Sequence, residues 1–473
     1  MKSRFLKRVL YLSFVSLVTL TLFSCKGRRE TQKSDSWEPQ IIAKAVEDSS
    51  SIFYANFSNY PSEREELPIG MFDSGTGGLT VMEQFLASGL FNNEKFIYLA
   101  DQANMPYGVY SSEGKERYLR ELVVKDALFL TTPPNRVKII VIACNTATAY
   151  GLGDVEKLLE RSGTDVKVVG VINAGVEGAL STIPSNIESF AVGVLATEGT
   201  IASEGYQNRI YQYGAEKNYN SDIRVVAQGG KGFAEAVDSE PDYISVDATG
   251  VRENYRGPKW EDSLGVRASL LPLYNFDYSS NALLIERGSE GNIKELQLNS
   301  TGNYARFHMV TLLDKHRREN PGVKLRSVIL GCTHYPYLLD TLKKVIEELK
   351  EYSVNGEKPF AELIAERVEF IDPAYNTAKE CHRILMENTL LSKSEEPFSL
   401  EPYISLPHPN LDPALLEGAS NLSFNFKYGR ELNDETPSVV ILPFSKENIN
   451  RENLNRIKER LPFTYSLIEK SLQ

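Results

Sequence analysis

Short apolar runs alternate with amphipathic stretches between residue 68 and about residue 390. The runs have the length and unbroken hydrophobicity of strands that are buried on both faces of a sheet. They lie at 69–72, 96–99, 138–143, 167–172, 190–195, 327–330 and 368–371. Stretches with helical spacing of apolar residues lie between them, at 79–90, 112–131, 151–159 and 336–352. Strand followed by helix, repeated, predicts an α/β fold with doubly wound parallel sheets.

Two segments depart from this alternation. Residues 240–305 are rich in glycine and contain short runs of β character, such as 282–285. We predict an inserted β-rich excursion there, because long structureless loops are uncommon inside folded domains. Residues 391–473 form a C-terminal extension with an apolar run at 439–442 and a charged helix predicted at 446–460.

The N-terminus has the pattern of an export signal. Four basic residues precede an apolar run at 9–23, which is shorter than the roughly 20 residues that a membrane-spanning helix needs. The run ends in Leu22-Phe23-Ser24-Cys25, which resembles a bacterial lipobox. We therefore predict a signal peptide at 1–24, lipidation of Cys25, a tether at 25–67 with one short helix near 39–48, and anchoring to a bacterial membrane on its periplasmic or cell-surface side. The alternative is a plain secretory signal with an incidental cysteine.

Composition narrows the classes of function. The chain of 473 residues is long enough for two or three domains, and its formal net charge of −11 argues against a nucleic-acid binder. The spacing of the four cysteines, Cys25, Cys144, Cys332 and Cys381, fits neither a disulfide scaffold nor a zinc site. With only five histidines besides, we predict no metal centre.

Three motifs stand at the carboxyl ends of predicted strands, where α/β proteins bind ligands. The first runs from Gly70 to Leu79 and places Asp73 and Ser74 before a glycine-rich turn that leads into a helix. Its spacing matches neither of the common nucleotide-phosphate loops. Backbone amides at such a turn favour a carboxylate, although Asp73 could merely cap the helix that follows.

The second and third motifs each place a cysteine between a strand and a helix. Cys144 is followed by Asn145 and Thr146, and the start of a helix lowers the pKa of a thiol, although a free cysteine is also a common core residue. Cys332 is followed by Thr333 and His334, a residue suited to acid–base chemistry. The mirrored arrangement favours a shared site.

Taken together and in this order, the three motifs resemble those of glutamate racemases. The strongest matches are Phe-Asp-Ser-Gly-x-Gly-Gly-Leu-Thr at 72–80, Cys-Asn-Thr-Ala at 144–147 and Gly-Cys-Thr-His-Tyr-Pro at 331–336. Weaker matches lie at 99–101, 106–108, 169–172, 197–200 and 370–374. The resemblance spans about 68–388 apart from 240–305.

The resemblance implies two pseudo-symmetric doubly wound α/β lobes, one of 68–163 plus 352–390 and one of 164–351, with the active site in the cleft between them. It implies interconversion of L- and D-glutamate without a cofactor, linked to peptidoglycan metabolism, with Cys144 and Cys332 as the paired acid and base. Asp73 and His334 would assist proton transfer and contact the substrate. The other substrate-binding residues would be Ser74, Tyr107, Gly108, Asn145, Thr146 and Thr333, with Glu198 as a further polar contributor.

Several features depart from the family. The family usually has an arginine between Asp101 and Pro106, where this chain has Asn104 and Met105. Family members are usually cytoplasmic, so an exported form suggests two alternatives: a racemase fold repurposed to bind an amino acid or cell-wall fragment, or a racemase of another amino acid. We expect Cys144 and Cys332 to stay unbridged, because a substrate carbon must fit between their sulfurs. Self-association as a homodimer is left open.

Overall fold

The computed structural model describes residues 37–184, 186–418, 421–449 and 451–472. The predicted signal peptide, Cys25 and the first part of the predicted tether lie outside these residues. In the described part of the chain, every helix is too short or too polar to span a membrane.

Fourteen strands are found within the described ranges. In chain order they are β1 (Ile69–Asp73), β2 (Lys95–Ala100), β3 (Ile139–Ile142), β4 (Lys167–Gly170), β5 (Ser189–Ala196), β6 (Asp222–Gly229), β7 (Leu283–Arg287), β8 (Ile293–Leu298), β9 (Leu325–Gly331), β10 (Ile364–Ile371), β11 (Ser399–Pro407), β12 (Leu416–Glu417), β13 (Asn421–Leu422) and β14 (Val439–Pro443).

The α-helices cover both faces of the sheets. They are α1 (Gln40–Glu47), α2 (Leu79–Ala87), α3 (Tyr107–Ser112), α4 (Glu116–Thr131), α5 (Asn145–Ser162), α6 (Val171–Ser181), α7 (Glu198–Ala202), α8 (Gly205–Glu216), α9 (Phe233–Val237), α10 (Leu271–Tyr274), α11 (Thr301–Glu319), α12 (Leu339–Glu351), α13 (Ala374–Glu387), α14 (Phe424–Gly429), α15 (Arg451–Arg460) and α16 (Pro462–Ser471). One predicted boundary is wrong: 171–172 begin α6 instead of ending a strand, because the apolar start of a buried helix has the same composition as a strand end.

The strands form two main sheets. The first has the order β14-β11-β2-β1-β3-β4, and the second has the order β10-β9-β5-β6. All neighbours in both sheets are parallel except β14, which pairs antiparallel with β11. Separate clusters of buried apolar side chains pack on the two faces of each sheet. The predicted doubly wound two-lobe α/β fold is confirmed.

Two strands lie in a different lobe from the one predicted. β4 pairs with β3 in the first sheet, although 164 onward was assigned to the second lobe. β10 pairs with β9 in the second sheet, although 352–390 was assigned to the first. Only α13, the helix after β10, packs against the first lobe through α2. The chain therefore crosses between lobes after β4 and again after β10, at points that an apolar run does not mark.

The predicted tether extends too far. Residues from Pro39 onward belong to the same folded unit as the two sheets. Ile41, Ile42 and Ala45 on α1 are buried, and α1 packs on α4 and α5. The Tyr60 hydroxyl also donates to the carbonyl of Val137 at 2.6 Å. The short helix near 39–48 is present, but it is a part of the first lobe because its apolar face covers that lobe's core.

The segment at 240–305 is less β-rich than predicted. Its strands are β7 and β8, which form one antiparallel hairpin, and the remainder consists of turns and short helices. Tyr243, Tyr255 and Tyr274 from these turns are buried against α11. The segment is therefore ordered mainly by the packing of aromatic side chains, whereas the sequence pattern predicted that strand pairing would order it.

The C-terminal part of the chain is built into the first lobe. β11 pairs with β2 along six residue pairs, so the sheet continues into this segment. The predicted helix at 446–460 begins only at Arg451, and α16 follows it. The carboxylate of Glu83 on α2 accepts hydrogen bonds from the first amides of α16, Phe463 N at 3.2 Å and Thr464 N at 2.8 Å. An anion at a helix N-terminus stabilises that helix, so Glu83 holds the start of α16 against α2.

Candidate active site

Two cysteines stand at equivalent places in the two lobes. Cys144 follows β3 at the start of α5, and Cys332 follows β9. Each side chain is 6% exposed, and both line the same cavity of about 30 Å³. Both are free in the structure. A cavity of this size holds one or two water molecules, so an amino acid enters only if the lining side chains move apart.

The cavity gathers nearly all of the residues predicted from the sequence. Its lining includes the predicted residues Ser74, Tyr107, Gly108, Cys144, Asn145, Thr146, Glu198, Cys332, Thr333 and His334. Asp73 is the exception, because it is fully buried below the cavity wall. Its Oδ2 accepts hydrogen bonds from Gly75 N at 3.2 Å and Gly78 N at 3.0 Å, while Oδ1 has no partner.

The glycines that follow Asp73 allow the two lobes to approach closely. A Cβ atom added at Gly77 would lie 2.5 Å from Cε1 of His334, which belongs to the other lobe. One added at Gly78 would lie 2.4 Å from the Cβ of Asp73. The turn between β1 and α2 therefore requires glycine at both positions, because a side chain would clash with His334 or with Asp73.

The thiol of Cys144 is held in its neutral form. Burial raises its pKa, and the neighbouring Asp73 raises it further. The amide of Ala147 donates to Sγ at 3.4 Å, and Sγ lies 3.7 Å from Oγ of Ser74. The expectation that the helix start lowers the pKa of this thiol is wrong, because desolvation outweighs the amides of α5.

Cys332 has a different neighbour. Its Sγ lies 3.5 Å from Nδ1 of His334, whose Nε2 lies 3.1 Å from Oδ2 of Asp238. Burial would lower the pKa of His334, but the Asp238 carboxylate raises it well above its usual value. Burial would raise the pKa of Asp238, but His334 and Arg456 lower it to about 2. A charged imidazolium therefore lies next to Cys332, whereas the neutral thiol of Cys144 lines the same cavity from the other lobe.

Polar side chains around the cysteines are mutually hydrogen bonded. The Tyr206 hydroxyl donates to Oδ1 of Asn145. The hydroxyl of Thr146 lies 2.8 Å from that of Thr197 and 3.1 Å from that of Thr200. These contacts fix Asn145 and Thr146 at the first turn of α5, where backbone amides are free to bind an anion.

Tyr107 presents its ring rather than its hydroxyl to the cavity. The hydroxyl lies 2.5 Å from a carboxylate oxygen of Asp101 and 2.7 Å from one of Asp126. Asp126 is buried, and this burial raises its pKa well above the usual value, so its carboxyl is neutral. The hydroxyl of Tyr107 is therefore committed to the protein interior.

The lining carries carboxyl groups, and among its described residues His334 is the one basic side chain. Burial raises the pKa of Glu198. Burial, together with Glu240, raises the pKa of Glu235 to about 8. Glu235 is consequently neutral at pH 7, and an anionic ligand would meet neutral donors here.

The C-terminal segment reaches the loop that carries Tyr107. Arg430 is buried, and its guanidinium donates to Oδ1 of Asn104 and to the Tyr110 hydroxyl at 3.0 Å. Lys427 donates to the carbonyl of Met105. An arginine from the far end of the chain therefore binds at position 104, where the sequence has asparagine.

Sequence reasoning missed four residues of this site. Glu235 and Asp238 lie on and just after α9, a helix of five residues with no distinctive spacing. Arg430 and Arg456 are two among many basic residues in the C-terminal segment. The only sequence signal for Asp238 is its position just before the 240–305 segment, and nothing in the sequence pairs Asp238 with Arg456.

The chain was compared with known proteins. No family model matches the sequence. The glutamate racemase of Oceanobacillus iheyensis is 29% identical over 327 residues, which cover 69% of this chain and 82% of that protein. The glutamate racemase of Lactobacillus johnsonii is 26% identical over 336 residues, covering 71% and 87%. That of Staphylococcus epidermidis is 36% identical over 171 residues, covering 36% and 55%.

The chain also aligns with solved structures. Glutamate racemase from Francisella tularensis in complex with D-glutamate aligns with a TM-score of 0.42 and 25% identity, covering 71% of this chain and 88% of that one. A glutamate racemase isoform from Bacillus anthracis aligns with a TM-score of 0.43 and 22% identity, covering 72% and 88%. The chain is homologous to glutamate racemases, and the prediction of a glutamate racemase-like isomerase is confirmed at that level.

Proposed function

We propose that the protein interconverts L- and D-glutamate by a two-thiol acid–base mechanism that requires no cofactor. The observation that carries this proposal is the pair Cys144 and Cys332, which come from different lobes and line one cavity with different electrostatic neighbours. Racemisation needs a base on one face of the α-carbon and an acid on the other. One thiolate and one thiol across a cleft supply both.

The charges around each sulfur assign the starting roles. The imidazolium of His334 stabilises a thiolate at Cys332, which removes the α-proton. The thiol of Cys144 then gives its proton to the opposite face of the α-carbon. The substrate's Cα–H bond breaks as its proton moves to the Cys332 thiolate, and a new Cα–H bond forms with the proton of Cys144. The product therefore has inverted configuration, Cys332 ends as a thiol and Cys144 ends as a thiolate. The reverse reaction begins with the roles interchanged, and Asp73, whose charge acts on Cys144, assists proton transfer at that thiol.

Neutral donors bind the substrate's two carboxylates in this scheme. Asn145, Thr146 and the first amides of α5 face the cavity from the first lobe, and Thr333 faces it from the second. Ser74 lies beside Cys144 and completes the set. Helix amides and hydroxyls suit a dicarboxylate because they stabilise anions without introducing a buried cation.

The same proposal places the enzyme outside the cytoplasm. The basic N-terminus, the apolar run and the Leu22–Cys25 motif support a signal peptide and a lipid anchor, and residues 240–305 and 391–473 are additions to the racemase core. An exported racemase would act on glutamate released during cell-wall turnover. Self-association as a homodimer remains a prediction, which light scattering can check.

Proton exchange tests the reaction. Protein comprising residues 26–473 is incubated under reducing conditions with L-glutamate in deuterated water. We expect deuterium at the α-carbon together with loss of optical rotation. Cys144→Ala and Cys332→Ala should each abolish racemisation, whereas Cys381→Ala, a buried cysteine outside the cavity, should retain it. No exchange with glutamate, but exchange with another amino acid, would reassign the substrate. Tight binding without any exchange would support a binding lipoprotein instead.

Fatty-acid labelling tests the anchor. The full chain expressed in a bacterium should incorporate a labelled acyl chain and sediment with membranes. Cys25→Ser should lose the label and remain in the soluble exported fraction. An unlabelled wild-type protein that is nevertheless exported would leave a plain secretory signal as the correct interpretation.

A further inference from the structure

The C-terminal segment places a cation next to the acid–base machinery. Arg456 on α15 donates to Oδ1 of Asp238, and its other terminal nitrogen donates to the carbonyl of Val237. The side chain of Arg456 is 15% exposed and that of Asp238 is 2% exposed. The second carboxylate oxygen of Asp238 contacts Nε2 of His334. A continuous chain of contacts therefore runs from Arg456 through Asp238 and His334 to Cys332.

We propose that Arg456 is a positioning residue for the reaction, which it supports by holding the Asp238 carboxylate so that His334 stays aligned with Cys332. This inference rests on the proposed function, since it assigns a role in that reaction. Asp238 has both oxygens occupied by different partners, so its carboxylate cannot rotate without breaking one contact. Arg456 itself touches neither the cavity nor a substrate atom.

The contact also joins the two lobes. Ile457, the neighbour of Arg456, is buried in the same apolar cluster as Ile69 and Phe85 of the first lobe. Asp238 follows α9 in the second lobe. The contact between Arg456 and Asp238 therefore links the C-terminal segment of the first lobe to the end of α9 in the second lobe.

The position of α15 does not depend on Arg456. Ile457 and Leu461 bury apolar side chains in the first lobe, and α16 is capped by Glu83. Arg456 also stacks over the ring of Tyr337, with its guanidinium carbon 5.1 Å from the ring centre. Replacement of Arg456 should therefore leave the helix in place, which makes the proposal testable by substitution.

The charges that face His334 determine the direction of the expected effect. Cys332, Asp238, Asp73, Glu235 and Glu240 are its titratable neighbours from both lobes. Arg456 is the cation that offsets Asp238. When this buried cation is lost, the remaining anions hold a proton on His334 more tightly and stabilise a thiolate less well. Activity should then require a higher pH.

Three substitutions separate charge from geometry. Arg456→Gln should lower kcat by about 10- to 100-fold with little change in KM, and should move the acid limb of the pH profile upward by about one unit. Arg456→Lys keeps the charge but cannot make both guanidinium hydrogen bonds, to Val237 and to Asp238. We therefore expect kcat to fall while the acid limb of the pH profile stays near its wild-type position. Guanidinium added to Arg456→Ala should restore part of the activity. Arg460→Gln, an exposed site on the same helix, serves as the matched control and should resemble wild type.

Nitrogen-15 NMR of the His334 ring gives a readout that needs no substrate. In Arg456→Gln the ring should remain protonated to a higher pH than in wild type, and in Arg460→Gln it should not change. An unchanged ring titration and a wild-type kcat in folded Arg456→Gln would overturn the proposal. If wild-type protein fails to racemise glutamate, the NMR shift still decides whether Arg456 acts on His334, so the two failures are distinguishable.

Discussion

At the scale of single residues, Cys144 and Cys332 occupy similar sequence motifs but differ in their chemistry. Burial and the neighbouring charges cause the difference. Each follows a strand and precedes a helix or turn. Cys144 faces Asp73 and its pKa is raised, whereas Cys332 faces the imidazolium of His334. The helix N-terminus that both motifs suggest is a weaker influence than desolvation and a full charge at close range.

Glu235 should set the alkaline limit for an anionic substrate. Its pKa is raised to about 8 by burial and by Glu240, so the carboxyl is neutral below that pH and anionic above it. The anion would repel a dicarboxylate, and kcat/KM for glutamate should fall above pH 8. In Glu235→Gln this limb should move to higher pH. Glu290→Gln, an exposed change on the β7–β8 hairpin, is the control. An identical alkaline limb in both variants would contradict the prediction.

We expect the ionised carboxylate of Asp73 to lower the free energy of unfolding while it supports catalysis. Burial raises its pKa from 3.8 to about 6, so the native state favours the protonated form and stability is lost as pH rises through this interval. Asp73→Asn cannot ionise and should be about 1–3 kcal/mol more stable than wild type at pH 8, an advantage that disappears below about pH 4. Its kcat should fall about 10²- to 10⁴-fold. Urea unfolding at both pH values and racemisation rates check both parts. A variant less stable at pH 8 would show that the anion is favourable.

At the scale of elements, the sequence predicted strand ends better than it predicted contacts between distant segments. Asp73, Cys144 and Cys332 were placed because buried parallel strands have a clear apolar pattern and their carboxyl ends share an edge. Asp238 and Arg456 are 218 residues apart, and no local pattern encodes such a pairing. The assignment of β10 to the wrong lobe has the same cause.

The loop at 101–108 should depend on Arg430. Its guanidinium binds Asn104, the Tyr110 hydroxyl and Oγ of Ser438 at 2.9 Å. Arg430→Met should lower the free energy of unfolding by about 2–4 kcal/mol, because buried polar groups lose a charged partner. It should also raise KM, since Tyr107 and Gly108 line the cavity. Chemical denaturation and steady-state kinetics measure both effects.

The comparison for Arg430 is a surface arginine. Arg367→Gln removes an exposed guanidinium on β10 and should change the unfolding free energy by less than about 1 kcal/mol. Equal losses in the two variants would mean that the buried contacts of Arg430 contribute nothing specific.

At the scale of the whole molecule, the C-terminal segment is a structural part of the first lobe. β11 covers the edge of β2, and the core that contains Phe96 and Tyr98 includes side chains from α15 and α16. We expect protein comprising 37–390 to aggregate or to show no cooperative thermal transition. Protein comprising 37–473 should give a transition in which the segment unfolds together with its sheet, as measured by calorimetry and hydrogen exchange. A soluble 37–390 protein with the same Tm would show that the segment is an independent module.

The contact between Arg456 and Asp238 has a consequence in time. Ribosomes add about 5–20 residues per second, so Asp238 is made roughly 10–40 seconds before the arginine that fixes it. Cys332 and His334 are made within that interval, so for the last 122 residues before Arg456 the nascent chain contains both cysteines and His334 but lacks the arginine that fixes Asp238. The last helices to be synthesised therefore complete the active site, and His334 is aligned only after nearly the whole polypeptide has been made.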